Sequence, residues 1–254
     1  MLKRVGETNV TRYGTKAKII EYKSCGNIVV EFQDDYRYKV NTTYNNFKRG
    51  QLKNPYDKSV FGIGYVGVGK YLTQNGKNPT REYRTWSDML KRCYLDKEKE
   101  KHSTYYHISS VCDEWHNFQE FSKWYYQNYY EVGAERMHLD KDILVPGNKL
   151  YSPENCLIVP QRINMLFVNR PNKRGLPSGI IKTANGYDAK YNNGAVGKFS
   201  TFKEAFNYYA KQKEEAIYNI AEEYKENIPE RLYNALLSYK VLLENDKNYI
   251  RKAS

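Results

Sequence analysis

HLDKDILVPGNKLYSPENCLIVPQRIN, residues His138–Asn164, is the stretch on which the reading of this chain turns. If residues 137–143 form a strand, successive side chains alternate between its faces. His138, Asp140 and Asp142 then share one face and Lys141 points the other way. Val145-Pro146-Gly147-Asn148 is a turn signal. Leu157–Pro160 forms a second short apolar strand, and QRINMLFVN opens a helix. The order is strand, turn, strand, helix, with Asn155 at the far side of the hairpin and Asn164 on the helix. One carboxylate and one amide carbonyl make a poor zinc site. They suit magnesium or manganese, which accept oxygen ligands and keep positions open for water and phosphate. An ion of that kind polarises a phosphodiester and holds its leaving oxygen, and a nearby base takes the proton from water.

Upstream, REYRTWSDMLKRCY (81–94) and DEWHNFQEFSKWYYQNYY (113–130) carry their aromatic and aliphatic residues at helical spacing. Trp86, Leu90, Trp115, Phe118 and Phe121 read as core rather than as a base-stacking platform. Before them, GIGYVGVG (62–69) mimics a nucleotide-binding glycine array, but KYLTQNGKNPT follows it in place of a helix start. A phosphate loop needs a helix N-terminus to hold the anion, so an irregular β linker is the better reading. The first 70 residues offer AKIIEY (17–22), NIVVEF (27–32) and YRYKV (36–40), separated by SCG and QDD. These are short strands joined by hairpins.

Downstream, RPNKRGLPSG (170–179) is a Pro/Gly/basic linker. Three short strands follow, IIKTA, YDAKYNN and VGKFS, with Asn-Gly turns at 185–186 and 193–194. A long helix then starts at Thr201, whose capping box is completed by Glu204.

The 254 residues carry a net charge of +12. Residues 1–70 are the most basic part, with 13 Lys and Arg against 6 Asp and Glu. A polyanion, nucleic acid first among them, is the partner this charge fits. Tyrosine is abundant, at 26 residues, and suits half-wet surfaces. Cys25, Cys93, Cys112 and Cys156 include no C-x-x-C pair, so a zinc ribbon is not signalled, and Cys93, Cys112 and Cys156 read as buried thiols. His107 and His116 read as packing or surface residues. The N-terminus MLKRVGETNV lacks an apolar core, and no window is apolar enough to span a membrane. A cytoplasmic protein with reduced thiols is expected.

TWSDMLKRC (85–93), VCDEWHNFQEF (111–121), LDKDIL (139–144) and YSPENC (151–156) occur in the order in which a branch of the HNH endonucleases of bacteriophages carries similar motifs. The segment from about Tyr83 to Asn169 resembles that family. The resemblance implies a ββα-metal fold in which Asp140 and Asn164 bind the ion and Asn155 orients the base. Lys141 stands where the family places its catalytic histidine. The base is therefore Lys141 or, from the other side of Asp140, His138. Residues 178–217 are similar to the APETALA-type DNA-binding domain, a three-stranded sheet packed on a helix. That resemblance implies sheet residues in the major groove, here Lys182, Tyr187, Lys190, Asn192 and Lys198. Arg162, Lys173 and Arg174 are further candidates for DNA contact.

Together these readings give an α+β protein in three parts. They are a basic β-rich domain (1–75), an HNH-like ββα module with flanking helices (80–170), and a β-β-β-α domain with C-terminal helices (176–254). The function implied is that of a phage homing-type DNA endonuclease. It uses Mg²⁺ or Mn²⁺, acts on double-stranded DNA, and needs no membrane and no small-molecule cofactor. If phage-encoded, it works in the host cytoplasm. A DNA-binding regulator that keeps the scaffold without cutting, or a phage protein that engages a host protein, are the alternatives.

Overall fold

The computed structural model describes residues 4–95, 109–168, 172, 174–192, 194–246, 248 and 249. The chain is an α+β protein whose larger sheets are antiparallel. It divides into two compact units, Met1–Gln127 and Asn128–Ser254. That division is coarser than the three parts expected, and its boundary falls inside the 80–170 segment.

In the first unit, β1 (Thr8–Val10), β2 (Lys16–Ser24), β3 (Asn27–Phe32) and β4 (Lys39–Thr42) pair in sequence order. Ala17, Ile19, Ile28, Val30 and Phe32 supply the inward face. Phe47 of α1 (Tyr44–Lys48) and Leu52 complete that core. The expected strand at 36–40 begins only at Lys39. Asp34 Oδ1 accepts the backbone N–H of Tyr36 and of Arg37, both at 3.1 Å, and Arg37 takes a φ of 49°. The side chain thus converts those residues to a turn. Strand β1 was not anticipated, because three residues carry no alternation signal.

The helix expected at 81–94 is α2 (Arg81–Tyr94), capped by Thr80. The stretch read as one helix from 113 is a 3₁₀ turn (Asp113–His116) followed by α3 (Phe118–Asn128). The break is Asn117, which is extended and bridges to Tyr65. Trp86, Trp115, Phe118 and Phe121 are fully buried, and the Trp86 indole donates to the Trp115 carbonyl at 2.7 Å.

Gly64 and Gly69 of the 62–69 stretch serve packing. A Cβ on Gly64 would stand 2.4 Å from Leu90 Cδ1 and 2.9 Å from the Trp86 ring. One on Gly69 would meet the Gln119 side chain at 2.2 Å. Buried Gln119 fastens this loop, accepting from the Tyr71 N–H and donating to the Tyr71 carbonyl, each at 3.0 Å.

In the second unit, β5 (Met137–Asp140) pairs antiparallel with β6 (Leu157–Pro160), which runs into α4 (Gln161–Phe167). Next come β7 (Ile180–Thr183), β8 (Gly186–Ala189) and β9 (Gly197–Phe199), a three-stranded antiparallel sheet in that order. The long helix α5 (Phe202–Tyr224) carries the expected Thr201–Glu204 capping box, and α6 (Glu230–Ser238) follows. Helix α5 serves two cores. Ala205 and Tyr209 pack on Ile180 and Ala189 of the sheet. Ile217, Ile220, Ala221 and Tyr224 join Ile143, Leu157, Val159 and Ile163 of the hairpin and α4, together with Leu232 and Leu236 of α6. A shared core therefore crosses the boundary expected near residue 176.

Candidate functional site

The hairpin and helix form as the residue pattern requires, but β5 ends at Asp140 rather than reaching residue 143. Asp140 itself stops it. Its Oδ1 accepts the N–H of Asp142 and of Ile143, both at 2.8 Å, so the side chain replaces the next ladder partner and turns the backbone. Asp142 accordingly leaves the strand face it was expected to share. His138 and Asp140 remain on one face, opposite Val159 and Leu157 in register. Those two strand residues pack with Ile163, so this is the face covered by α4. Asn164 sits half-buried on α4, and Asn155, also half-buried, lies in the turn held by Ser152 just before β6.

The loop between the strands is built around Lys141 and Asn148. The turn closes from Asn148 N–H to the Val145 carbonyl at 3.0 Å, with Gly147 at φ 78°. Lys141 is 6% exposed. Its ammonium donates to Asp142 Oδ1 at 2.7 Å and to the Asn148 carbonyl at 2.5 Å, and lies 5.7 Å from the Tyr151 ring centroid. In return the Asn148 amide donates to the Lys141 carbonyl at 2.9 Å and to the Leu150 carbonyl at 2.7 Å. These bonds make Lys141 the internal brace of the loop.

Burial raises the Asp140 carboxyl above its ordinary value, the nearby Asp142 charge adds to that, and the two backbone N–H bonds and Lys141 oppose it. Tyr239 is pushed up to about 12 by burial and by the charges of Asp142 and Asp140. A cavity of about 60 Å³ opens beside Asp142 and is lined also by Tyr239, Lys213 and Asn245.

The candidate DNA contacts divide. Register places Lys182, Tyr187 and Phe199 on one side of the sheet with Ile180 and Ala189, the side that packs on α5. Tyr187 is partly buried, meets the Phe202 ring edge-on at 5.8 Å and packs against the core between the sheet and α5. Lys182 is exposed at the edge strand, and Lys190, Asn192, Lys198 and Arg174 are exposed as well. Arg162 is engaged within the molecule. Its guanidinium grips Glu223 through two bonds, at 2.5 and 3.0 Å, and reaches the Tyr224 hydroxyl at 3.1 Å. Lys173, His102, His107 and the turn residue Asn193 lie outside the described residues.

His116 sits in the first unit, in the 3₁₀ turn, with Nδ1 3.6 Å from Asp113. Burial lowers its imidazole below the ordinary value. Cys93 and Cys156 are buried thiols and Cys112 is half-buried. Among the described residues no group of three or more His, Cys, Asp and Glu side chains could hold a metal, and no helix is long and apolar enough to cross a membrane. The candidate ligand pair of Asp140 and Asn164 is of another kind, one carboxylate with one amide.

No family model, curated protein or solved structure matches this chain.

Proposed function

We propose that the chain is a divalent-metal-dependent endonuclease of duplex DNA, built on an HNH-like ββα scaffold. One observation carries this reading. His138 and Asp140 share the face of β5 that is covered by α4, and α4 bears Asn164. The donor chemistry fits a hard cation: both candidate ligands offer oxygen, and a half-buried carboxylate raised by burial and by a neighbouring acid is stabilised by a positive ion. Asp140 and Asn164 hold Mg²⁺ or Mn²⁺, and when bound the ion supplies charge stabilisation at a phosphodiester. Asp140 serves at the same time as loop cap through Oδ1, which leaves Oδ2 to ligate. His138 is the base candidate on the same strand face, and Asn155 orients it. The net charge of +12 supports a polyanionic partner. Lys190, Asn192, Lys198, Lys182 and Arg174 supply exposed contacts to it, mostly to phosphate, which fix register but carry little sequence information.

The locked Lys141 favours a second reading, a DNA-binding regulator that retains the scaffold and does not cut. Plasmid nicking with Mg²⁺ or Mn²⁺, run beside Asp140→Ala and His138→Ala, separates the two. The endonuclease reading expects metal-dependent nicking that Asp140→Ala abolishes, with duplex binding nearly unchanged. Loss of the base costs ~10²–10⁴ in rate. Full cleavage by the Asp140→Ala protein, or no cleavage by the wild type with either metal, refutes it.

A further inference from the structure

The buried stripe of α5 runs through Ala205, Tyr209, Ile217 and Ala221, four residues apart except for one missing member. The missing member is Lys213, a cation placed where helical periodicity calls for an apolar residue. It borders a cavity of about 340 Å³ whose walls include Ser178, Lys190, Tyr191, Asn192 and Tyr209. None of the described lining residues of this cavity is acidic. Lys190 and Lys213 both border this space, with Ser178, Tyr191, Asn192 and Tyr209 around it.

The wall is closely packed at Gly179. Gly179 has a φ of 81°, and a Cβ there would lie 2.2 Å from the Lys190 carbonyl and 2.8 Å from the Tyr209 ring. Only glycine lets strand and helix approach this closely. Gln212 accepts the Tyr191 N–H at 3.1 Å and so pins the segment that carries Lys190 to α5. Burial lowers the Lys213 ammonium from its ordinary value, and Asp246, beside the smaller cavity, only partly opposes this. A partly desolvated cation of this kind gains most from an anion that enters its cavity.

We infer that the cavity between Lys190 and Lys213 is a binding site for a phosphate group. This deepens the DNA-binding reading, for which it supplies one backbone-phosphate subsite, and the same chemistry would accept a free phosphate-bearing molecule. The experiment uses the full chain. Thermal unfolding is followed with inorganic phosphate against chloride of equal ionic strength, and duplex affinity is measured across a salt series, for the wild type, Lys213→Met and Lys190→Met. Phosphate raises the wild-type Tm and has little effect on either variant.

If the phosphate comes from the duplex backbone, each variant also loses about 0.9 from the slope of log K against log[salt]. If the slopes are unchanged while phosphate still stabilises only the wild type, the ligand is a free phosphate compound and the site stands. Equal phosphate and chloride effects with unchanged slopes overturn the inference. Should Lys213→Met fail to fold, exposed Lys190 carries the same comparison. The phosphate arm needs no DNA, so a wild type that neither binds nor cuts duplex refutes the nuclease reading without touching this one.

Discussion

Replacing Lys141 with Met distinguishes a brace from a base. The substitution keeps most of the side-chain volume and removes the ammonium. It strips the Asn148 carbonyl of a 2.5 Å donor and Asp142 of a 2.7 Å ion pair. Removing one member of a buried pair costs about 3–5 kcal/mol. Asp142 is 30% exposed at its side chain, so water recovers part of that penalty. About 2–3 kcal/mol is the loss expected after that discount. For a unit of this size it corresponds to a fall in Tm of roughly 6–15 °C. Scanning calorimetry on wild type and variant reads the shift directly. Nicking rates measured well below both transitions then isolate chemistry from folding. A brace lowers Tm and leaves the low-temperature rate within a few-fold of wild type. A base leaves Tm alone and slows nicking by ~10²–10⁴ at every temperature. An unchanged Tm with nicking lost refutes the structural role assigned to Lys141.

Three further outcomes are expected. Burial raises the native Asp140 carboxyl above its ordinary value, so the metal-free native state binds more protons there than the unfolded chain. This component of stability therefore falls as pH rises through the window from the ordinary value to the raised one. Asp140→Asn removes that fall, and identical pH profiles for the two proteins would falsify the burial argument. Gly64→Ala forces a Cβ against Leu90 and the Trp86 ring and costs about 1–3 kcal/mol, read as a lower urea midpoint; an unchanged midpoint means the loop shifts freely. Arg162→Ala leaves the salt dependence of duplex binding unchanged, because its guanidinium is already committed to Glu223; a slope smaller by about 0.9 would show that it reaches a phosphate.

How much of this was legible in the sequence depends on the range of the interaction that decides each feature. Helix α2 and the capping box of α5 follow from periodicity and side-chain caps, which are local, and both appear where the pattern puts them. The break at Asn117 was not legible, because its cause is a bridge to Tyr65, more than fifty positions away in the chain. The end of β5 was legible in principle. Asp followed by polar residues is a turn signal as well as a metal-ligand signal, and the alternation reading overrode it. The packing of Tyr187 was not legible for a different reason. Alternation gives two faces, but which of them meets α5 is a tertiary fact, decided here by Ile180 and Ala189 packing on Ala205 and Tyr209.

Lys141 and Lys213 expose the limit most clearly, because composition treats both as surface charge. Lys141 is buried by a loop that its own ammonium organises, and nothing in LDKDIL distinguishes a lysine that faces solvent from one that faces Asn148. Lys213 did carry a signal. Counting four residues forward from Tyr209 and four back from Ile217 lands on it, so the stripe itself marks the position as inward. A cation at such a position needs a counter-charge or a polar space. Asp246 offers some of the first and the cavity beside Lys190 offers the second. Reading polar exceptions to an apolar stripe, rather than the stripe alone, is thus what turns a helix assignment into a testable site.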